Sequence, residues 1–124
     1  MKIYKFPFSI AYSDTDAGGI VYHGRYIEIA ERARMDMMRG IKMPSEDIGF
    51  VVRSLDIKYM SPLKLADDIV VQTEITNVGA VSMELQQKFV HGDVICAIMN
   101  ITVAYLGSDM KLKSIPDTII KKLK

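Results

Sequence analysis

The residues of this 124-residue chain whose types and spacing could do chemistry lie in one stretch, Tyr12-Ser13-Asp14-Thr15-Asp16-Ala17-Gly18-Gly19-Ile20-Val21-Tyr22-His23-Gly24-Arg25-Tyr26. Asp14 and Asp16 offer carboxylates that are ionised near neutral pH, since an unperturbed aspartate titrates at about 3.9. Gly18 and Gly19 permit backbone conformations closed to other residues and let a ligand approach the main chain. Val21 to Gly24 fall where the first N–H groups of a helix lack intrahelical acceptors. Such donors could hold a carbonyl oxygen and stabilise the charge that develops on it during attack, each contributing roughly 2.7–4 kcal/mol to lowering the barrier. A carboxylate beside them would serve as nucleophile or as a base toward water. The same residues could instead only cap a helix, because acidic side chains accept its free N–H bonds and complement its dipole. Spacing alone leaves both uses open and does not separate Asp14 from Asp16.

The elements that must position this stretch follow from hydrophobic periodicity. Ile3 to Tyr12 is a strand candidate in which Pro7 suggests an edge position or a bend. A helix is expected from about Tyr22 to Arg39. Its apolar stripe is Tyr22, Tyr26, Ile29 with Ala30, Ala33 and Met37, and Gly40 stops it. Beyond a loop with Pro44, Ser45 and Gly49 the period becomes two. Leu55, Ile57 and Tyr59 alternate with polar residues, as do Ile69 to Ile75 and Val81 to Phe89. The run Val94 to Leu106 is apolar on much of both faces, and His91-Gly92-Asp93 reads as a short hairpin loop before it. Ser61-Pro62-Leu63 and Ala66-Asp67-Asp68 are turns, and a short helix begins near Pro116. One strand, one long helix and about four long strands make an α+β fold in which the sheet curls around the helix. The two-sided apolarity of the last strand suggests a further partner surface, most simply a second copy of the chain.

Composition narrows the function classes. The length suits a single domain spanning 1–124. Apolar residues at 49% and charged residues at 25% are ordinary for a globular protein, and a net charge of +1 argues against nucleic acid as a partner. The one basic run, Lys121-Lys122-Leu123-Lys124, reads as a solvated terminus. No segment is long and apolar enough to span a bilayer, and the first residues lack the apolar run of a signal peptide, so the cytoplasm is the expected location. The single cysteine, Cys96, sits in an apolar run and reads as a buried inert thiol. With only His23 and His91 as histidines, no metal site is expected.

The string Asp14 to Tyr26 resembles the active-site motif of hotdog-fold acyl-CoA thioesterases, in the branch of 4-hydroxybenzoyl-CoA thioesterase and nearest its YbgC-type, Tol-Pal-associated enzymes. The resemblance continues through Glu31-Arg32-Ala33-Arg34, Phe50-Val51-Val52-Arg53, Tyr59-Met60-Ser61-Pro62 and Asp67-Asp68-Ile69. It implies a hotdog fold, a long central helix wrapped by a curved antiparallel sheet of about five strands. It implies hydrolysis of an acyl-CoA thioester without metal or other cofactor, at a site shared between subunits of a homodimer or homotetramer. Carried over by residue, it makes Asp16 the catalytic carboxylate and the His23 backbone N–H the group that polarises the carbonyl. Asp14 is left with a local structural role. The His23 side chain could orient Asp16 or a water, touch substrate, or simply sit half-buried. Gly19, Tyr22, Tyr26 and Tyr59 are candidates for contact with substrate, the tyrosines also being ordinary members of apolar stripes. Glu31, beside Arg32 and Arg34, is expected to be solvated or ion-paired.

One departure limits the transfer. The 4-hydroxybenzoyl-CoA enzyme holds the nucleotide end of coenzyme A with a basic cluster near its third strand, whereas Asn77-Val78-Gly79-Ala80-Val81-Ser82 has no Lys or Arg. Lys58, Lys64 and Arg53 are the cations left to meet phosphates. A non-catalytic module that binds acyl thioesters with an acyl-carrier or membrane-associated partner is the alternative class. A hotdog dehydratase ranks below it, because that chemistry wants a histidine in a different context.

Overall fold

The computed structural model describes residues 2–124. Five strands form one antiparallel sheet: β1 (Ile3–Ser9), β2 (Gly49–Tyr59), β3 (Asp68–Val78), β4 (Ser82–His91) and β5 (Val94–Leu106). A 3-10 turn (Tyr12–Asp14) and the helix α1 (Arg25–Met37) fall between β1 and β2, and α2 (Asp117–Leu123) follows β5. The sheet order is β1-β3-β4-β5-β2, which leaves β1 and β2 as its edges. Pro7 pairs with Val70 from the outermost strand, where its missing N–H costs no ladder bond to a further neighbour.

Alternation decides the two faces. Ile69, Val71 and Ile75 of β3, Met83, Leu85 and Phe89 of β4, and Met99, Ile101 and Val103 of β5 are buried toward the helices. Gln72, Gln86, Lys88, Asn100 and Thr102 alternate with them and make the outer face polar. Register shifts between Val52 and Ser54, Ile75 and Asn77, and Phe89 and Val90 curl the sheet. Helix α1 presses Tyr26, Ile29, Ala30, Ala33 and Met37 onto the concave side. This is the hotdog arrangement that the resemblance implies.

Helix α1 is fixed over the sheet by a polar clamp as well as by apolar contact. Gln87, buried on β4, donates through Nε2 to the Ala30 carbonyl and to Thr73 Oγ1, each at 3.0 Å, and its Oε1 accepts from Arg34 Nη1 at 2.9 Å. A fully bonded buried amide holds one register, because any sliding would strand its polar atoms. The loop after α1 is pinned at Asp47, whose carboxylate accepts from the Tyr105 hydroxyl at 2.7 Å and from Lys113 Nζ at 2.9 Å.

Two expectations shift. Helix α1 begins at Arg25 rather than near Tyr22, because Val21 is held in a bridge to Thr15 and the chain then makes a separate turn, with the Arg25 N–H donating to the Tyr22 carbonyl at 2.9 Å. Strand β1 ends at Ser9, since the Asp14 N–H returns to Ala11 in the 3-10 turn. Strand β5 lies between β4 and β2, with Met99, Ile101 and Val103 buried under the helices and Ile98, Asn100 and Thr102 alternating on the opposite face.

Candidate active site

The two carboxylates separate completely in the folded chain. Asp14 is 2% exposed. Its Oδ2 accepts from the Ala11 N–H at 2.8 Å, and its Oδ1 from Arg25 Nε at 2.8 Å. The pair ties the polar stretch to the first turn of α1, and the hydrogen bond to Asp14 is the chief cause that pushes the Arg25 guanidinium above its usual range. Asp16 stands on the surface instead, in a tight turn where its carbonyl accepts from Gly19 N–H at 3.0 Å and its N–H donates to the Ile20 carbonyl at 2.9 Å. Gly19 takes φ +80°, the left-handed region that this turn requires. The Gly18 N–H donates to Asp16 Oδ1 at 2.8 Å. Oδ2 has no hydrogen-bond partner among the described residues.

The far limb of the turn is anchored to the loop before β3. Thr15 bridges Val21, Ile20 bridges Lys64, and the Val21 N–H donates to the Leu63 carbonyl at 2.8 Å. Of the three cations available for phosphate, Lys64 is therefore the one whose backbone is joined to this turn. From Val21 the chain runs through Tyr22 and His23 to the N-cap Gly24, whose φ of −72° and ψ of −17° are already helical. No side chain caps this helix start. The His23 and Gly24 N–H groups have no acceptor among the described residues. The Tyr22 ring lies 4.4 Å from that of His23 and folds back over Gly24, where an added Cβ would come within 2.8 Å of it.

Asp16, His23, Tyr26 and Tyr59 converge on one cleft of about 310 Å³. Ile20, Val21, Met60, Ser61 and Pro62 complete its wall. Tyr26 packs edge-on between Tyr59 and Phe89, at ring separations of 5.0 and 5.1 Å, and burial pushes both tyrosine hydroxyls above their ordinary pKa. A carboxylate with one unbonded oxygen and a residue with an unpaired backbone donor line one cleft, an arrangement that can attack and polarise a carbonyl.

Gly19 and Tyr22 do not line the cleft: the glycine shapes the turn behind Asp16, and the tyrosine covers the helix entry. Met60, Ser61 and Pro62 were read in the sequence only as part of a motif and a turn. They form wall because the Met60 and Ser61 N–H groups both donate to the Cys96 carbonyl, at 2.8 and 3.0 Å, and fold the end of β2 toward the cleft. Nothing in local sequence announces that bend. Glu31 is exposed and makes no ion pair among the described residues; Glu28 pairs instead with Arg25 and Arg32. Cys96 is buried, and burial raises its thiol pKa. A second, larger cleft of about 460 Å³ lies along the other half of α1, walled by Met35, Met38, Met43 and Phe50, and shares no residue with the first. Among the described residues no helix is long and apolar enough to cross a membrane.

Comparison with known proteins identifies the family. A family profile described as Thioesterase superfamily matches residues 18–98. The acyl-CoA thioester hydrolase YbgC of Escherichia coli is 32% identical, with 98% of this chain and 96% of that protein covered. The acyl-CoA thioesterase YbgC of Haemophilus influenzae is 33% identical over 82% of this chain and 79% of its own length. A crystal structure of a probable thioesterase from Bartonella henselae superposes with a TM-score of 0.83 at 25% identity, covering 92% of this chain and 98% of that one.

Proposed function

The chain belongs to the thioesterase superfamily, and from that premise we propose that residues 1–124 form one hotdog unit that hydrolyses acyl-CoA to a free carboxylic acid and coenzyme A through Asp16 and the His23 backbone. One observation carries the assignment of roles. Of the two aspartates, only Asp16 keeps a carboxylate oxygen unbonded and lines the cleft, which it shares with His23, whose N–H has no acceptor among the described residues. Asp14 has both oxygens bound and almost no exposure. The thioester carbonyl oxygen rests on the N–H at the helix entry, where the dipole of α1 adds to the attraction for developing negative charge. Asp16 Oδ2 then attacks the carbonyl carbon, expelling the coenzyme A thiolate and leaving a mixed anhydride that water hydrolyses to the free acid, or it takes a proton from a water that attacks instead and passes that proton to the departing thiolate. Tyr26 and Tyr59 wall the acyl side.

A second copy of the chain completes the site in this proposal. Strand β2 is a sheet edge with unpaired backbone groups. Val52 and Tyr59 on it and Met60 just past its end stand exposed, and Met35 of α1 and Ile48 of the loop before β2, also exposed, line one cleft with Val52. A dimer closed over that edge, alone or doubled to a tetramer, would shield the cleft from bulk water. The test is Asp16→Asn in a preparation whose mass by light scattering corresponds to two or four chains. Hydrolysis of a panel of short, long and aromatic acyl-CoAs should drop by at least about a hundredfold, with an unchanged melting temperature, as expected when the reacting group itself is removed. Wild-type turnover in that variant would refute the mechanism.

A further inference from the structure

The Tyr59 hydroxyl does something that a pocket wall does not require. It donates to the His23 carbonyl at 2.7 Å, across 36 residues of chain. Its placement is over-determined: the Tyr59 backbone pairs with Ala97 of β5, and the next two N–H groups wrap the Cys96 carbonyl. The ring rests edge-on against buried Tyr26. On the other side of the bond, the helix entry is braced at Tyr22 and Arg25, but the peptide between His23 and Gly24 has no other partner among the described residues. The N-cap is a glycine with no capping side chain, and Tyr59 is the only donor to the His23 carbonyl among the described residues.

Resting on the hydrolase reading above, we infer that Tyr59 is a positioning residue of the oxyanion site, which orients and polarises the helix-entry peptide through its bond to the His23 carbonyl. The carbonyl of His23 and the N–H of Gly24 belong to one peptide unit. A hydrogen bond accepted at the oxygen withdraws electron density from the nitrogen and makes its N–H the stronger donor, because hydrogen bonds in a chain polarise one another. The same bond restrains the His23 backbone, and with it the orientation of the His23 N–H. Both donors are otherwise free, so the substrate oxygen would meet two aligned N–H groups rather than one. The hydroxyl thereby links the end of an edge strand to the atoms that carry the developing charge.

Tyr59→Phe separates this role from that of a wall, since it keeps the ring and removes only the oxygen. The acyl group is the one that wild-type enzyme hydrolyses fastest in a panel. Loss of one neutral hydrogen bond that acts in the transition state lowers kcat about fivefold. KM should stay within about twofold and the melting temperature within about 4 °C, because the ring keeps its packing against Tyr26 and only one neutral hydrogen bond is removed. A second readout is independent of turnover. A dethia-CoA ketone, with CH2 in place of the thioester sulfur and ¹³C at its carbonyl, should show a red-shifted infrared carbonyl band on wild-type enzyme and a smaller shift on Tyr59→Phe. Unchanged kcat with an unchanged band would overturn the inference, as would a loss confined to KM. A fall in kcat that only tracks a lowered melting temperature would overturn it too. Should Asp16→Asn remain active, the hydrolase mechanism beneath it fails as well; should Asp16→Asn be inactive and Tyr59→Phe silent, only the positioning role is lost.

Discussion

Arg25→Met removes the cation from a carboxylate that has almost no access to water. Asp14 is 2% exposed and retains only the Ala11 N–H, 2.8 Å from Oδ2, when the guanidinium is gone. Removing one partner of a fully buried pair costs about 3–5 kcal/mol, and a hydrogen bond to a charged group is worth roughly 1.5–3 kcal/mol. The Arg25 side chain is 28% exposed, so its attraction for Asp14 is partly screened and the lower part of that span applies. The lost contact with exposed Glu28 adds only a few tenths of a kcal/mol. The expected destabilisation is therefore about 2 kcal/mol, and a chain of this size converts that into a fall in Tm of about 8 °C. Asp14→Asn keeps the shape and leaves Arg25 its contact with Glu28, so its cost should be smaller. In a double-mutant cycle followed by thermal melting near neutral pH, the coupling between the two positions should come to about 1–2 kcal/mol. Because the pair also ties the Asp16 turn to α1, Arg25→Met should lose turnover at temperatures well below its own Tm. An Arg25→Met protein that melts within about 2 °C of wild type, or a coupling near zero, would refute this account of Asp14 as the brace of the site.

Other outcomes follow from the same geometry. Burial, then the hydrogen bond to Asp47, pushes the Tyr105 hydroxyl up to about 12. A raised folded-state pKa stabilises the fold below the ordinary tyrosine value and loses that contribution as pH rises toward 12. An ultraviolet titration should accordingly show Tyr105 as the last of the six tyrosines to ionise, a step that Tyr105→Phe removes. Lys113 and Tyr105 hold the Asp47 carboxylate below its usual range, a contribution present at neutral pH and lost on acidification. Asp47→Asn should therefore flatten the acid limb of the stability profile, and an unaltered limb would remove Asp47 as a pin of that loop. Gly18→Ala places a Cβ 3.2 Å from Asp16 Oδ1 at a residue whose φ is not in the left-handed region. If Asp16 is the reacting group as proposed, a displacement of a few tenths of an ångström there should lower kcat about tenfold with little change in Tm. Full activity in Gly18→Ala would show that the orientation of Asp16 is not critical.

Much of the scaffold was legible in the chain itself. Alternation over β3 and β4, the 3.6-residue stripe of α1, Gly92 in the β4–β5 hairpin at φ +63° and Pro116 before α2 are all local signals, each read from residues a few positions apart. The quoted motifs, taken together, also pointed to the hotdog order and to thioester chemistry. What local pattern did not reveal was the use each polar group finds. Asp14 and Asp16 are the same residue type two positions apart, and nothing near them tells which will be buried. The answer comes from Arg25 and Ala11, which flank Asp14 only once the chain has turned. The start of α1 moved for the same reason, since Val21 is held to Thr15 in a bridge that periodicity does not register. The sheet order, with β5 between β4 and β2 and with β1 and β2 as the edges, is likewise set by pairings between residues far apart in the chain.

Tyr59 marks the boundary between the two kinds of information. As a residue in an alternating run it reads as one more side chain on a strand, and its ring does pack as such against Tyr26. Its hydroxyl meets the His23 carbonyl only because the curled sheet carries the end of β2 to the start of α1. Propensity, capping and periodicity act within about a turn of helix or a few residues of strand, so the sequence by itself determined the elements and the type of chemistry their polar cluster could support. Hydrogen bonds formed across tens of residues depend on how those elements pack. Tertiary structure alone therefore decided which carboxylate stays free, which backbone donors remain unpaired, and which distant side chain holds them in place.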